Sequence, residues 1–125
     1  MHSLKPARSP CAPHIRLVPN EGSFLPNPHK YRSFVGSLHY LTFTRPYLSF
    51  AMHQICQFMS FPIDIHLAVA KRILRYINGT LNFGILLQFG PISLSAFSDS
   101  NWVSDHFDMR FTTSFIAYLG YNPIT

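Results

Sequence analysis

The amino-acid sequence predicts an α+β fold, in which a proline-rich segment precedes three helices and a three-stranded antiparallel sheet. Two observations support this prediction. Apolar residues recur at helical spacing between residues 31 and 80, and apolar and polar residues alternate between residues 81 and 125. Hydrophobic residues make up 47% of the 125 residues and charged residues only 12%, which favours a folded chain over a disordered one.

Residues 1–30 are predicted to form an extended tether. Proline has no backbone N–H and restricts the residue before it, so a long helix does not fit here. Six of the ten prolines lie in this segment, namely Pro6, Pro10, Pro13, Pro19, Pro26 and Pro28.

The first two predicted helices are separated by Arg45-Pro46, because Pro46 ends one helix and suits the first turn of the next. The first helix, residues 31–44, carries an apolar stripe made of Tyr31, Phe34, Val35, Leu38 and Leu41. The second helix ends at Phe61-Pro62, and its apolar face is made of Leu48, Ala51, Met52, Ile55, Phe58 and Met59.

The third predicted helix starts near Asp64, where an acid favours the positive end of the helix dipole. It ends at Asn78-Gly79, since glycine tolerates the left-handed conformation at a helix end. The predicted buried residues are Leu67, Ala70, Ile73, Leu74 and Ile77, and the predicted cationic ridge consists of Lys71, Arg72 and Arg75.

Three strands are predicted after Gly79. The first is indicated by the alternation of Phe83, Ile85, Leu87 and Phe89, and Gly90-Pro91 follows as a turn. The second covers residues 93–99 and the third covers residues 111–119, a stretch rich in β-branched and aromatic residues. The sequence therefore predicts a small antiparallel sheet over residues 81–125.

Charge is distributed unevenly along the chain. Residues 1–75 have a net charge of +7, and residues 76–125 have a net charge of −2. A positive first part suits a polyanionic partner, although a solvated basic surface explains the same pattern. The chain also has twelve Phe, six Tyr and one Trp beside few charged residues, which indicates that one face packs against further protein.

Several functional classes find little support in the sequence. Cys11 and Cys56 form no metal-binding or disulfide pattern, and the chain contains neither a membrane-spanning apolar run nor a signal peptide, so we expect an intracellular protein. His53 and Cys56 have helical ligand spacing but lack a second pair. Ser98, Asp99 and His106 lack the elbow and oxyanion motifs of a hydrolase. No small-molecule substrate is indicated.

Several sequence blocks together resemble one known family. They are YRSFVGSLHYLTFTRP, QFMSFP, AKRILRYINGT, AFSDSNW and FIAYLG, in that order. These blocks are similar to the Pol polyprotein of copia-type LTR retrotransposons, at the end of the reverse transcriptase and the start of the ribonuclease H domain. Tyr47 and Asn101 stand where the family usually has aspartate.

The resemblance implies a division of the chain into three parts. Residues 1–30 would be a tether, residues 31–80 thumb and connection helices of reverse transcriptase, and residues 81–125 a truncated ribonuclease-H-like sheet. The thumb grips the primer–template duplex, so Lys71, Arg72 and Arg75 would contact phosphates of an RNA–DNA hybrid or DNA duplex without reading bases.

The resemblance also implies that Asp99 is the first metal-binding aspartate of ribonuclease H. That enzyme uses two Mg²⁺ ions, which a single carboxylate cannot hold against their hydration. The remaining carboxylates of the family and its polymerase aspartates have no counterpart among these residues. We therefore expect Asp99 to form an incomplete site and the isolated chain to need no cofactor.

The sequence leaves three functions open. The first is a catalytically inactive retrotransposon remnant that binds nucleic-acid duplexes irrespective of base sequence. The second is a piece of a complete Pol enzyme, an RNA-directed DNA polymerase and ribonuclease H that works only with the rest of the polyprotein. The third is a remnant that docks on a partner protein and binds no nucleic acid.

Overall fold

The structure is a computed structural model that describes residues 5–11, 17, 22–101 and 112–125. These residues form three α-helices followed by a three-stranded antiparallel sheet, so the predicted α+β class is confirmed. The chain divides into two compact units, Met1–Gly84 and Ile85–Thr125.

The first helix, α1, spans Pro28–His39 and begins earlier than the sequence pattern predicted. The Asn27 side chain caps it by accepting a hydrogen bond from the Lys30 N–H at 3.2 Å, and Pro28 occupies the first helical position, where a missing N–H costs nothing. The tether predicted over residues 1–30 therefore loses its last three residues to α1. A short 3₁₀ helix, Tyr40–Phe43, continues from α1.

The second helix, α2, spans Ser49–Cys56 and follows a 3₁₀ turn at Pro46–Leu48. The third helix, α3, spans Asp64–Gly79, as predicted. Its end does not depend on a left-handed glycine, because positive φ angles occur only at Gly22 and Gly120 among the described glycines. Instead, the Thr80 hydroxyl donates a hydrogen bond to the Tyr76 carbonyl at 2.9 Å.

The helices enclose one apolar core. All eleven of its residues lie in the three helices or, for Leu48, at the turn that leads into α2. The core consists of Tyr31, Val35, Leu38, Leu48, Ala51, Met52, Ile55, Val69, Ala70, Ile73 and Ile77. Leu74 was predicted to be buried, but it is exposed.

The beginning of the chain lies against the helices rather than away from them. The Ala7 N–H donates to the Arg75 carbonyl at 3.4 Å, and the Leu25 N–H donates to the Pro62 carbonyl at 3.2 Å. Gly79 allows the segment around Pro6 and Ala7 to lie close to the end of α3, because a Cβ built at Gly79 would lie 2.8 Å from the Cβ of Pro6. The described part of the tether is thus held on the helices.

The second unit contains β1 (Leu94–Asn101), β2 (Thr112–Leu119) and the short β3 (Asn122–Pro123), paired in that order. The strand predicted over residues 83–89 does not form. The Gln88 N–H donates to the Asn122 side chain at 2.7 Å in place of a strand ladder. Gly120, at a φ of +58°, makes the tight turn between β2 and β3.

Candidate nucleic-acid interface

The three cations predicted on α3 differ in their exposure to solvent. Lys71 is exposed, whereas Arg72 and Arg75 are half-buried. Lys71 and Arg75 are one helical turn apart and line the same groove, so they lie on one side of α3. The predicted ridge is therefore present as a set of neighbouring side chains, but only one of them reaches freely into solvent.

Arg72 is partly occupied by the beginning of the chain. Its Nε donates to the Ser9 carbonyl at 3.2 Å, and its Nη2 donates to the Ser9 hydroxyl at 3.0 Å. These bonds use two of the three guanidinium nitrogens. A sequence pattern could not reveal this contact, because the two residues are 63 positions apart.

Lys71 and Arg75 line a groove between α1 and α3, which we call the α1–α3 groove. It has a volume of about 820 Å³. Lys30 from the first turn of α1 is its third cation, and the described residues that line the groove include no acid. Its apolar lining residues are Leu25, Pro26, Tyr31, Phe34, Leu67, Ala68 and Leu74.

Lys30 was not predicted as a site residue, because it was assigned to the tether. The signal that could have found it is Asn27-Pro28, a capping residue followed by proline, which is typical of a helix start. A helix that starts at Pro28 carries Lys30 beside Tyr31 and Phe34, and all three line the groove.

Arg75 has an unusual environment within the groove. Its Nε is buried, and it finds no hydrogen-bond partner among the described residues. A buried donor without an acceptor is unfavourable, and a charged one more so.

Asp99 lies on β1, away from any cluster of acids that the structure describes. It is exposed and pairs in register with Ser114 on β2. The described residues hold no group of three His, Cys, Asp or Glu side chains that could bind a metal ion. These residues do not fit a two-magnesium centre. Trp102, Asp105, His106 and Asp108 lie outside the described residues.

The His53 and Cys56 pair also lacks the features of a metal site. His53 is exposed and Cys56 is half-buried, and burial raises the pKa of the Cys56 thiol. A raised pKa disfavours the thiolate that metals bind. Cys11 is likewise a free thiol, and burial raises its pKa too, although the nearby Arg72 opposes this shift.

His66 is a buried polar residue that the sequence pattern did not single out. Its Nδ1 accepts a hydrogen bond from the Ile63 N–H at 3.2 Å, and its ring stacks on Phe58 at a centroid distance of 3.9 Å. It fills the third position of α3, where a side-chain acceptor satisfies an N-terminal backbone donor. His66 thus fixes the start of the helix that carries the cations.

Comparison with known proteins decides the family. The chain is 46% identical over its whole length to the retrovirus-related Pol polyprotein from transposon RE1 of Arabidopsis thaliana. It is 32% identical over 93% of its length to the Pol polyprotein from transposon TNT 1-94 of Nicotiana tabacum. The chain belongs to the copia-type retrotransposon Pol family.

Its coverage of these relatives is small. The chain spans 9% of the RE1 polyprotein and 9% of the TNT 1-94 polyprotein. It also matches an uncharacterized mitochondrial protein of Arabidopsis thaliana, with 35% identity over 71% of that protein. No family model and no solved structure matches the chain. Across the described segments, none of the helices has both the length and the apolarity needed to cross a bilayer.

Proposed function

We propose that this piece of a copia-type Pol polyprotein holds a nucleic-acid duplex by its phosphate backbone. In this proposal residues 31–80 correspond to the thumb and connection of the reverse transcriptase and residues 81–125 to the start of ribonuclease H. The observation that carries it is the set of cations on one side of α3 together with Lys30 across the groove, with no acid among the groove residues. Lys71, Arg72 and Arg75 are the proposed contacts, and the remainder of Pol is the proposed partner.

The cations differ in what they would contribute. Lys71 is exposed and can follow a phosphate with little cost. Arg75 lines the groove and would contribute its guanidinium charge there. Arg72 already donates to Ser9, so a phosphate would receive only part of its guanidinium. Cations of this kind neutralise phosphates and carry no base information, and we therefore expect binding to be independent of base sequence.

We further propose that the chain alone does not hydrolyse the hybrid it binds. Asp99 is exposed beside Ser114, and one carboxylate does not hold two hydrated Mg²⁺ ions in the geometry that phosphodiester cleavage requires. In the complete polyprotein, further carboxylates would join Asp99, and Mg²⁺ would then supply the Lewis acid. The test is incubation of the purified chain with a labelled RNA–DNA hybrid and Mg²⁺. Cleavage that Asp99→Asn abolishes would contradict the proposal.

Binding is tested by a salt titration of fluorescence anisotropy with a labelled RNA–DNA hybrid and a labelled DNA duplex. Each phosphate contact contributes a slope of roughly −0.9 to the plot of log affinity against log salt concentration. We expect Lys71→Gln to weaken binding and to make the slope shallower by about one contact. We expect the same loss for duplexes of different base composition.

Arg32→Gln is the charge-matched control, because Arg32 is exposed and does not line the α1–α3 groove. Its Nε donates to the Met59 carbonyl at 2.9 Å, so thermal melting is used to check that this variant is folded. It changes the net charge by the same amount as Lys71→Gln. If both variants have the same effect, binding reflects total charge and the proposed interface is wrong. Absence of duplex binding even at low salt would reject the function itself.

A further inference from the structure

The α1–α3 groove has an apolar part that duplex binding does not explain. Phe34 of α1 and Leu67 and Leu74 of α3 line it together with Leu25 and Pro26 from the segment before α1. Leu74 retains 38% of its surface in contact with solvent, although Ala70, Ile73 and Ile77 of the same α3 stripe are buried in the core. A phosphate backbone would pair with the cations, but it offers no apolar surface to cover these side chains.

The groove therefore combines two recognition features within one unit of the chain. It presents apolar side chains from two neighbouring helices, and it presents the cations Lys30, Lys71 and Arg75, with no acid among the lining residues that the structure describes. Its volume of about 820 Å³ is in the range of pockets that enclose a ligand. An occupant that matches both features must be apolar on one side and anionic at its flanks.

We propose that the α1–α3 groove binds an amphipathic helix whose apolar face is flanked by acidic side chains. Such a helix would present apolar anchors at positions i, i+3 or i+4, and i+7, which is the usual way that a helix occupies a groove between two others. Its carboxylates would pair with Lys30 and Lys71 at the surface. Arg75 also lines the groove, so a further carboxylate would pair with its guanidinium charge.

Charge complementarity determines this choice of occupant. A basic helix would place like charges beside three cationic side chains, which repel it. A neutral helix would leave these cations unpaired in a partly buried site. Helix binding is distinct from the proposed duplex binding, because the apolar lining contributes to binding the helix and not to binding the duplex. Since both use Lys71 and Arg75, an acidic helix in the groove would also compete with a duplex.

The probe is a fluorescein-labelled synthetic peptide of four helical turns, with leucine at the anchor positions and glutamate on both flanks. A second peptide carries lysine in place of each glutamate and is otherwise identical. Binding of each peptide to the full chain is measured by anisotropy, and helix formation is followed by circular dichroism. We expect the acidic peptide to bind and to gain helicity, and the basic peptide to bind at least about tenfold more weakly.

Two variants test the groove itself. We expect Leu74→Gln to lower the affinity for the acidic peptide by about tenfold or more, since it removes an apolar anchor contact. Leu81→Gln is the matched control, because Leu81 is 62% exposed and does not line the groove. Both substitutions replace an exposed leucine, so we expect little effect on folding. Thermal melting curves equal to that of the parent chain will show that each variant is folded.

The duplex serves as the reference ligand in the same experiment. We expect Leu74→Gln to leave the affinity for the duplex unchanged. We expect Arg75→Gln to lower the affinity for both the duplex and the acidic peptide. Absence of acidic-peptide binding, equal binding of the two peptides, or equal losses for Leu74→Gln and Leu81→Gln would overturn the inference. If Leu74→Gln weakens the duplex as much as the peptide, the apolar lining contacts nucleic acid and the inference is wrong.

Discussion

His66 shows how one side chain can connect helix capping to pH. Its Nδ1 accepts the Ile63 N–H, so the neutral ring is required for this bond. Burial lowers the pKa of His66, although the nearby Asp64 carboxylate opposes this shift. A protonated ring would lose the acceptor at the start of α3 and would place a charge beside Phe58 in a buried position.

The first prediction concerns the pH dependence of stability. Because the pKa of His66 is lower in the folded chain than its ordinary value of 6.5, the unfolded chain binds more protons in the interval between the two. The contribution of His66 is therefore complete above about pH 7 and is lost progressively as pH falls through 6.5. Urea denaturation at several pH values measures this loss.

His66→Gln is the variant that isolates this effect, since glutamine at the third helical position also accepts a backbone N–H but does not titrate. The other six histidines are present in both proteins, so the comparison isolates His66. We expect the free energy of unfolding to fall less steeply between pH 7 and pH 5.5 in the variant than in the parent chain. Identical slopes would show that His66 does not titrate differently on folding.

Tyr31 provides a second prediction at this scale. Its hydroxyl is buried and donates to the Ile55 carbonyl at 2.9 Å, which links α1 to α2. Burial, and to a lesser degree Cys56, raises the pKa of Tyr31, so it remains a donor throughout the physiological range. We expect Tyr31→Phe to lower the free energy of unfolding by about 1 kcal/mol, because it removes one buried hydrogen bond and keeps the ring.

The control for Tyr31→Phe is Tyr40→Phe, since the Tyr40 side chain is 75% exposed. We expect this second change to alter the free energy of unfolding by less than about 0.5 kcal/mol. Comparable losses in both variants, measured by urea denaturation at pH 7, would contradict the role assigned to the bond between Tyr31 and Ile55.

Single residues were predictable where periodicity determined burial, and not where a distant segment intervened. The stripe of Tyr31, Val35 and Leu38 is buried as the helical spacing predicts. Leu74 follows the same spacing but is exposed, because it faces the α1–α3 groove and not the core. His66 was missed because a lone histidine at a helix start has no spacing signal, and its partners become visible only in the folded chain.

At the scale of elements, the helices were predictable because proline interrupts them at recognisable places. Pro46 begins a helical segment and Pro62 precedes α3, as predicted. The start of α1 at Pro28 was missed, and α2 ends at Cys56, before the predicted end at Phe61-Pro62. The strand over residues 83–89 was wrongly predicted because alternation describes side chains, whereas a strand also needs a neighbouring backbone. Gln88 bonds instead to the Asn122 side chain in both directions, since its carbonyl also accepts at 2.8 Å.

Two glycines in different helices lead to a prediction at this scale. Gly36 lies within α1, and a Cβ added there would meet nothing within 4 Å. Gly36→Ala should therefore raise the free energy of unfolding by about 0.5–1 kcal/mol, because alanine loses less conformational entropy in a helix. Thermal and urea denaturation followed by circular dichroism at 222 nm, the wavelength of the helix signal, measure the change.

Gly79→Ala is the contrasting variant. The same substitution near the end of α3 would place a Cβ 2.8 Å from the Cβ of Pro6. We expect it to give no stabilisation, because the gain in helix propensity is offset by displacement of the segment that bonds to Arg75 and Arg72. Equal stabilisation by both substitutions would show that the contact with Pro6 does not hold the beginning of the chain on α3.

At the scale of the whole molecule, the two units differ in how well they bury their apolar residues. The helical unit has a closed core, whereas most large apolar side chains of the sheet unit are exposed. Phe115 pairs directly with Ser98, which is four residues from Leu94 on the same strand. Directly paired residues and alternate residues of a strand share a face, so Leu94 and Phe115 lie on the same side of the sheet, at 74% and 66% exposure. The prediction from composition, that one face packs against further protein, remains a prediction, and this face is where it applies.

This face leads to a prediction for the isolated chain. Large exposed apolar patches on a soluble protein favour association, and we expect the chain to self-associate in a concentration-dependent manner through the sheet unit. Leu94→Ser with Phe115→Ser should shift the sedimentation distribution toward the monomer, since it removes two large apolar groups from one face. Phe50→Ser is the control, because Phe50 is 68% exposed but belongs to the helical unit. A monomer at all concentrations, or equal shifts in both variants, would show that the sheet face does not drive association.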